Sequence, residues 1–366
     1  EFPRPEREQW EVGKHVKEEE FTRAVTLGLF DYLRKSRSAG FVVSLSGGAD
    51  SAAVATLVAL MVRRAVGELG VEGFVKCIGG GGPLDGATDE DGLTHALLTC
   101  VYQSTANSSR TTRDAAQAVA EAVSARFLEL DVNPMVEAYV ASIAGVVGRD
   151  LTWADDDVAL QNIQARVRAP GVWLLANLAG ALLLATSNRS EAAVGYATMD
   201  GDTCGGLSPI AGIDKAFLRQ WLHWLQTTGP SGLAAIPALE KVTCQQPTAE
   251  LRPPGQGQTD EQDLMPYDLL DAIERAAIRD KRSPLEVFEL MRADFPALGP
   301  AQLGAWVTRF FRLWSRNQWK RERYAPSFHL DDENLDPKTW CRFPILSGGF
   351  ERELAALQAH LDTLVD

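Results

Sequence analysis

The chain has 366 residues, of which 45% are hydrophobic and 23% charged, a composition typical of one large globular domain or one domain with additions. Its formal net charge of −13 argues against a nucleic-acid binder or a protein of anionic membrane surfaces, because such a chain repels phosphate. The five cysteines lack C-x-x-C spacing, and this predicts a cytoplasmic protein whose cysteines are reduced and bind no zinc.

Residues 1–17 are polar and rich in proline near their start, which is typical of a linker or N-terminal extension. Apolar residues at helical spacing then predict a helix over 18–37. Further helices are predicted over 51–64, 109–126, 134–147 and 156–178. Uncharged, largely apolar runs predict five strands, over 40–46, 72–80, 97–105, 126–132 and 181–186.

Strands that alternate with helices, each nearly continuous in apolar residues, favour a parallel sheet covered on both faces. The expected fold class is therefore α/β, with a doubly wound parallel sheet whose ligands bind at the carboxyl ends of the strands. A long Pro/Gly/Gln-rich loop follows over 244–266, and loops of this length are usually either functional lids or disordered. Helical additions are predicted over about 266–325, and a final helix over 351–366.

The sequence "SGGADS", residues 46–51, lies between the first strand and the next helix. Backbone N–H groups at a helix start form an anion cradle, and Ser46 and Ser51 add hydroxyl donors. Asp50 would repel a phosphate there unless a divalent cation lay between them, so the motif predicts a magnesium–pyrophosphate site. The alternative is a glycine-rich turn with a capping aspartate.

"SGGADS" resembles the loop of the pyrophosphate-loop ATPases, which form adenylated intermediates. "QNIQARVR" at 161–168, "ATSNRSEAAVGYATMDGD" at 185–202, "SPIAGIDK" at 208–215 and "QPTAEL" at 246–251 narrow the resemblance to the NAD synthetase family. "NQWKRERYAPSFHL" at 317–330 is similar to the glutamine-dependent branch. The resemblance implies a fold of the adenine nucleotide alpha hydrolase-like type and one synthetase domain over 18–350.

The resemblance also implies a reaction. The carboxylate of nicotinic acid adenine dinucleotide would attack the α-phosphorus of ATP, with Mg²⁺ present, and ammonia would then displace AMP to give NAD. The glutamine-dependent branch carries a nitrilase-like amidase before this region, and the residues before Phe41 are too few to hold one. Ammonia is therefore the expected nitrogen donor of this chain, with a separate or removed glutaminase domain as a possible partner.

Roles for single residues follow from the same resemblance. Asp50 and Glu191 match the carboxylates that hold Mg²⁺, Lys215 matches the lysine that holds ATP phosphate, and Asp202 matches an acidic residue near the ammonia position. Asp50, Asp202 and Lys215 are thus the expected catalytic residues. The other expected ATP contacts are Ser44, Ser46, Gly47, Gly48, Ser51, Thr186 and Thr248. The expected dinucleotide contacts are Asp202 together with Asn162, Gln164 and Arg166, the last three near a dimer interface.

Other hypotheses stay open at this point. Arg166 and Arg168 could be ordinary cations on a helix surface. The chain could be another adenylating amidotransferase, such as one similar to GMP synthetase, or a tRNA-modifying enzyme, although the acidic charge disfavours the latter. It could also be an inactive nucleotide-binding regulator. An apolar helix over 156–178 that carries polar substrate contacts predicts a homodimer across that helix.

Overall fold

A computed structural model describes residues 7–79, 84, 86–246, 250–253 and 260–364. Its centre is a sheet of four parallel strands in the order β3-β2-β1-β4. The strands are β1 (Phe41–Ser44), β2 (Leu98–Ser104), β3 (Arg126–Asp131) and β4 (Leu182–Leu184). Because β1 pairs with both β2 and β4, the loops that follow β1 and β4 meet at one edge of the sheet.

Fifteen α-helices are assigned within the described residues. The first eight are α1 (Val16–Ser36), α2 (Ala49–Ile78), α3 (Glu90–Leu97), α4 (Arg110–Ala122), α5 (Asn133–Val147), α6 (Asp157–Ala179), α7 (Arg189–Val194) and α8 (Lys215–Thr227). The others are α9 (Glu240–Thr243), α10 (Asp260–Asp263), α11 (Tyr267–Glu274), α12 (Pro284–Asp294), α13 (Pro300–Arg316), α14 (Gln318–Arg321) and α15 (Glu351–Thr363). Within this part of the chain no helix is both long and apolar enough to cross a membrane.

Successive residues of β1 point to opposite faces of the sheet, and helices cover both faces. Phe41 and Val43 belong to a large core that includes residues of α1, α2, α4 and α8. Val42 packs on the other face with Val172 and Ala176 of α6. Both faces of a parallel strand must be buried, which explains its uninterrupted apolar sequence. The predicted doubly wound α/β class is confirmed.

The predicted strand over 72–80 is wrong. Residues 72–78 form the last part of α2, after a break at Gly70, whose φ of 70° is non-helical. Phe74 is fully buried and lies 5.9 Å from Phe30 of α1, measured between ring centroids. A short apolar run fits a helix or a strand equally well by pattern, and here it packs as a helix against α1.

A second hydrophobic core lies beside the sheet domain. It is built from α11, α12, α13 and α15, and it includes Ala192, Ala193 and Val194 of α7. Fully buried Phe310 and Trp314 of α13 supply much of its volume. As a result α7, which follows β4, is buried along its whole length between the sheet and the C-terminal helices.

Candidate active site

The elbow after β1 has a conformation that requires glycine. Gly47 has φ +84°, and a Cβ at this position would lie 2.1 Å from the carbonyl oxygen of Thr112. The hydroxyl of Ser51 accepts a hydrogen bond from the backbone N–H of Ser46 at 3.1 Å and donates to the carbonyl of Gly48 at 3.2 Å. Among the described residues no side chain caps the start of α2, so its first N–H groups remain available to an anion.

A buried lysine joins the two carboxylates that the sequence places after β1 and β4. Lys215, at the start of α8, is 2% exposed. Its Nζ donates to Asp50 Oδ2 and, at 3.1 Å, to Glu191 Oε1. Asn188 fixes the carboxylate of Asp50, because its Nδ2 donates to Asp50 Oδ1 at 2.9 Å, and it also holds the backbone of Glu191, whose N–H donates to Asn188 Oδ1 at 3.0 Å.

Burial raises the pKa of Glu191 to about 8, although Lys215 acts in the opposite direction. Burial alone would lower the pKa of Lys215, but Asp50 and Glu191 outweigh it and raise that pKa. The lysine is therefore charged, and its ammonium group lies between the side chains of Asp50 and Glu191.

This donor set fits a magnesium ion that is shared with phosphate. Magnesium is usually held by one or two carboxylates together with waters and substrate phosphate oxygens. Asp50 and Glu191 converge on a single cationic atom, which shows that both carboxylates reach one point. No group of three or more His, Cys, Asp or Glu side chains suited to a metal occurs among the described residues. Phosphate oxygens would have to complete the coordination.

These groups line a cavity of about 1170 Å³ at the carboxyl end of the sheet. Most of the residues singled out from the sequence are on its wall: Ser44, Ser46, Gly48, Asp50, Ser51, Asn162, Thr186, Glu191, Asp202 and Lys215. Gly47, Gln164 and Arg166 do not line it, and Thr248 lies outside the described residues. One cavity thus contains the elbow, the lysine and three predicted carboxylates.

Asp202 also lines the cavity. Its Oδ1 accepts the backbone N–H of Thr198 at 2.7 Å, and Thr198 Oγ1 donates to Asn162 Oδ1 at 3.1 Å. The residue is exposed toward the cavity, yet the surrounding protein desolvates its carboxyl group and raises the pKa to about 6. Asp202 can therefore take up or release a proton near neutral pH.

Residues 21–322 match the family model described as NAD synthase. The chain belongs to the NAD synthase family. A glutamine-dependent NAD(+) synthetase of Bos taurus is 31% identical over 93% of this chain and 51% of its own length. A crystal structure of a glutamine-dependent NAD(+) synthetase from Cytophaga hutchinsonii is 47% identical, with a TM-score of 0.82 over 93% of this chain and 56% of that one.

The structure of NMN synthetase from Francisella tularensis shares the fold at 20% identity, with a TM-score of 0.57 over 83% of this chain and 95% of that one. The chain spans about half the length of the glutamine-dependent relatives that it matches. These matches confirm the resemblance to the NAD synthetase family that the sequence motifs indicated.

Two of the expected dinucleotide contacts have other partners in this NAD synthase chain. Gln164 is buried, and its Nε2 donates to the carbonyl of Leu251 at 2.7 Å, which docks the segment 250–253 on α6. Arg166 is exposed, and its Nε donates to the carbonyl of Met199 at 3.0 Å. Their contact with the dinucleotide stays a prediction. Arg168, considered above as a surface cation, is instead half-buried and lines the cavity.

Sequence reasoning missed a group beside the lysine. Buried Asp260 accepts hydrogen bonds from Tyr267 Oη at 3.3 Å and from Tyr196 Oη at 3.4 Å. The ring centroid of Tyr267 lies 5.6 Å from Lys215 Nζ. Lys320 also lines the cavity, and its Nζ donates to the carbonyls of Gly195 and Ala197. The one available signal was that Asp260 lies in the long loop over 244–266, for which a functional lid was one of the two expectations.

Proposed function

We propose that this chain catalyses the amidation of nicotinic acid adenine dinucleotide to NAD, using ATP, Mg²⁺ and ammonia and releasing AMP and pyrophosphate. The observation that carries the proposal is the meeting of Lys215, Asp50 and Glu191 beside the glycine elbow, in the cavity at the carboxyl end of the sheet of a chain of the NAD synthase family. Both nucleotide substrates are anionic, so a site for them needs this concentration of donors and cations.

The elbow would bind the triphosphate. The N–H groups at the start of α2 and the hydroxyls of Ser46 and Ser51 donate to phosphate oxygens. Lys215 would supply further donors when its ammonium group moves from Asp50 and Glu191 to the bound phosphate. Asp50 and Glu191 would hold Mg²⁺, which when bound neutralises charge on the phosphate oxygens.

The reaction has two steps in this proposal. A carboxylate oxygen of the dinucleotide attacks the α-phosphorus, the bond to the pyrophosphate oxygen breaks, and a mixed anhydride with AMP forms. Ammonia then attacks the acyl carbon, AMP leaves with the electron pair of the broken C–O bond, and the nitrogen loses a proton. Asp202, with a pKa of about 6, is ionised at neutral pH and accepts that proton.

In this proposal the described part of the chain uses ammonia, not glutamine, as its nitrogen donor. Glutamine hydrolysis needs a thiolate or another activated nucleophile. Burial raises the pKa of Cys100 and that of Cys204 to about 12, so neither thiol ionises readily. All five cysteines are free, and we place the protein in the cytoplasm, where thiols stay reduced.

The test measures NAD and pyrophosphate with ATP, Mg²⁺ and the deamido-dinucleotide, adding either ammonium chloride or ammonia-free glutamine. We expect turnover with ammonium that rises toward alkaline pH as more ammonia is unprotonated. A parallel reaction replaces the dinucleotide with the deamido-mononucleotide. It tests whether the chain makes NMN, the product in the name of the Francisella tularensis neighbour. Turnover of glutamine at the rate of ammonium would refute the nitrogen-donor assignment, and preference for the mononucleotide would refute the substrate.

We also propose a homodimer through α5 and α6. None of the residues of α5 is buried, although the helix is strongly apolar. Exposed apolar side chains continue across both helices, at Met135, Tyr139, Ile143, Val146, Val147, Val158, Trp173, Leu174 and Leu178. Contiguous apolar patches of this kind mark protein interfaces, and a two-fold contact would bury the same patch on each copy.

A further inference from the structure

A second buried ionic cluster surrounds Arg189, the first residue of α7. The guanidinium is 1% exposed. Its Nε donates to Glu274 at 3.3 Å, and its Nη2 donates to Asp214 at 3.2 Å and Glu333 at 2.7 Å. Its Nη1 donates to both oxygens of Asp331, at 3.1 and 3.0 Å, and to the carbonyl of Gly212. Four carboxylates from three separate parts of the chain therefore meet at one cation.

The cluster adjoins the residues that hold Lys215, since three consecutive residues of α7 bind the start of α8. Arg189 binds Asp214, the residue before the lysine. Ser190 Oγ accepts the backbone N–H of Lys215 at 2.8 Å. Glu191 accepts from Lys215 Nζ at 3.1 Å. Both the backbone and the side chain of the lysine are thus positioned from α7.

The next two N–H groups of α8 have carboxylate caps. Asp214 Oδ1 accepts the N–H of Phe217 at 2.7 Å, and Asp271 Oδ2 accepts that of Ala216 at 3.0 Å. Asp271 also receives the hydroxyl of Ser190. Caps of this kind fix where and in which direction a helix begins. Since Arg189 holds the capping residue Asp214, it controls the direction of the helix start.

The C-terminal part of the chain supplies the other end of the cluster. The carbonyl of Pro326 accepts the N–H of Ser208 at 2.8 Å, so the segment 326–333 runs beside the loop that leads to Lys215. Glu333 is further held by Arg275 at 3.0 Å and Arg279 at 3.4 Å. Asp331 and Glu333 therefore connect the C-terminal helices to Arg189.

We propose that Arg189, together with Asp331 and Glu333, is a positioning device for Lys215, and this rests on the function proposed above. Arg189 does not line the cavity, so it acts on substrate only through the start of α8. Buried ion clusters contribute little to stability compared with apolar packing, yet they fix one geometry. A displacement of a reacting group by about 1 Å costs up to about a hundredfold in rate.

Asp331→Asn is the informative variant, because the side chain of Asp331 is partly exposed and tolerates a neutral amide of the same shape. We expect kcat for pyrophosphate release to fall about tenfold or more while KM for the dinucleotide stays unchanged. Asp332→Asn is the matched control, since it removes the same charge from the same turn beside the cluster and should leave kcat unchanged.

Two further measurements separate positioning from stability. In a Lys215→Met background Asp331→Asn should cause no further loss of kcat, because the two changes act on one group. Hydrogen exchange of the amides at 215–217 should be faster in Asp331→Asn than in Asp332→Asn, a readout that needs no enzymatic activity. Unchanged exchange at 215–217, or an equal loss of kcat with and without Lys215, would overturn the proposal. An inactive wild-type chain with the expected exchange would instead refute the proposed function.

Discussion

Lys215→Met tests whether the lysine balances the two carboxylates of the ligand-free site. Methionine keeps most of the length and apolar character of the lysine stem but removes its charge. In the wild-type protein Lys215 Nζ contacts Asp50 and lies 3.1 Å from Glu191. The variant leaves these two acids facing each other with no cation between them.

The size of the effect follows from this geometry. Two oxygens that contact the same nitrogen lie within about 6 Å of each other, and at an effective dielectric constant of about 20 their repulsion is about 3 kcal/mol. Removal of one partner of a buried ion pair generally costs about 3–5 kcal/mol. We therefore expect the free energy of unfolding to fall by about 3–5 kcal/mol, or Tm by about 4–7 °C for a chain of 366 residues.

Chemical denaturation at pH 6 and pH 8.5 measures this loss. The pKa of Glu191 is about 8 beside Lys215, and loss of the lysine charge raises that pKa further. At pH 8.5 Glu191 of the wild-type protein is therefore ionised, whereas Glu191 of the variant must stay protonated or face Asp50 as a second negative charge. The loss should therefore be larger at the higher pH. Lys76→Met, at an exposed position on α2, is the control and should change stability by less than about 0.5 kcal/mol. Equal stability of Lys215→Met and wild type at pH 8.5 would refute the reasoning.

Three further predictions concern activity, assembly and pH. Asp50→Asn and Glu191→Gln should each lower turnover by about 10²–10³ at saturating Mg²⁺, and near-normal pyrophosphate release in either would refute the metal assignment. Leu174→Glu, at a residue of α6 that is 60% exposed, should give a monomer by light scattering, whereas a wild-type monomer at micromolar concentration would contradict the dimer. Burial raises the pKa of Asp271 to about 7 and that of Glu274 to about 8, so stability that is fully present below pH 4 is lost as pH rises through 7 to 8. Tm should thus be lower at pH 8.5 than at pH 6, and Glu274→Gln should flatten this dependence.

Features of the chain that depend on neighbouring residues could be read from the sequence alone. The glycine elbow at 46–51 was recognisable because a strand, two glycines and a helix start follow each other directly. Four strands were predicted at or near their positions because a parallel strand needs an apolar run of a few residues. The order of the motifs was enough to indicate the NAD synthase family.

Other features were decided only by the tertiary structure, because the sequence pattern is compatible with more than one outcome. The apolar run at 72–78 forms the end of α2 and buries Phe74 against Phe30 of α1, a contact across the fold that the run itself does not encode. Arg189 and Glu333 are 144 positions apart, and Lys215 and Asp50 are 165 apart. Each of these pairs meets only because the parallel sheet gathers its loops at one edge and the C-terminal helices pack against α7. Local propensity acts over a few residues, whereas a buried ion pair depends on which elements pack together. Asp50, Glu191 and Lys215 could therefore be singled out from the sequence, but only the fold determined which side chains they contact.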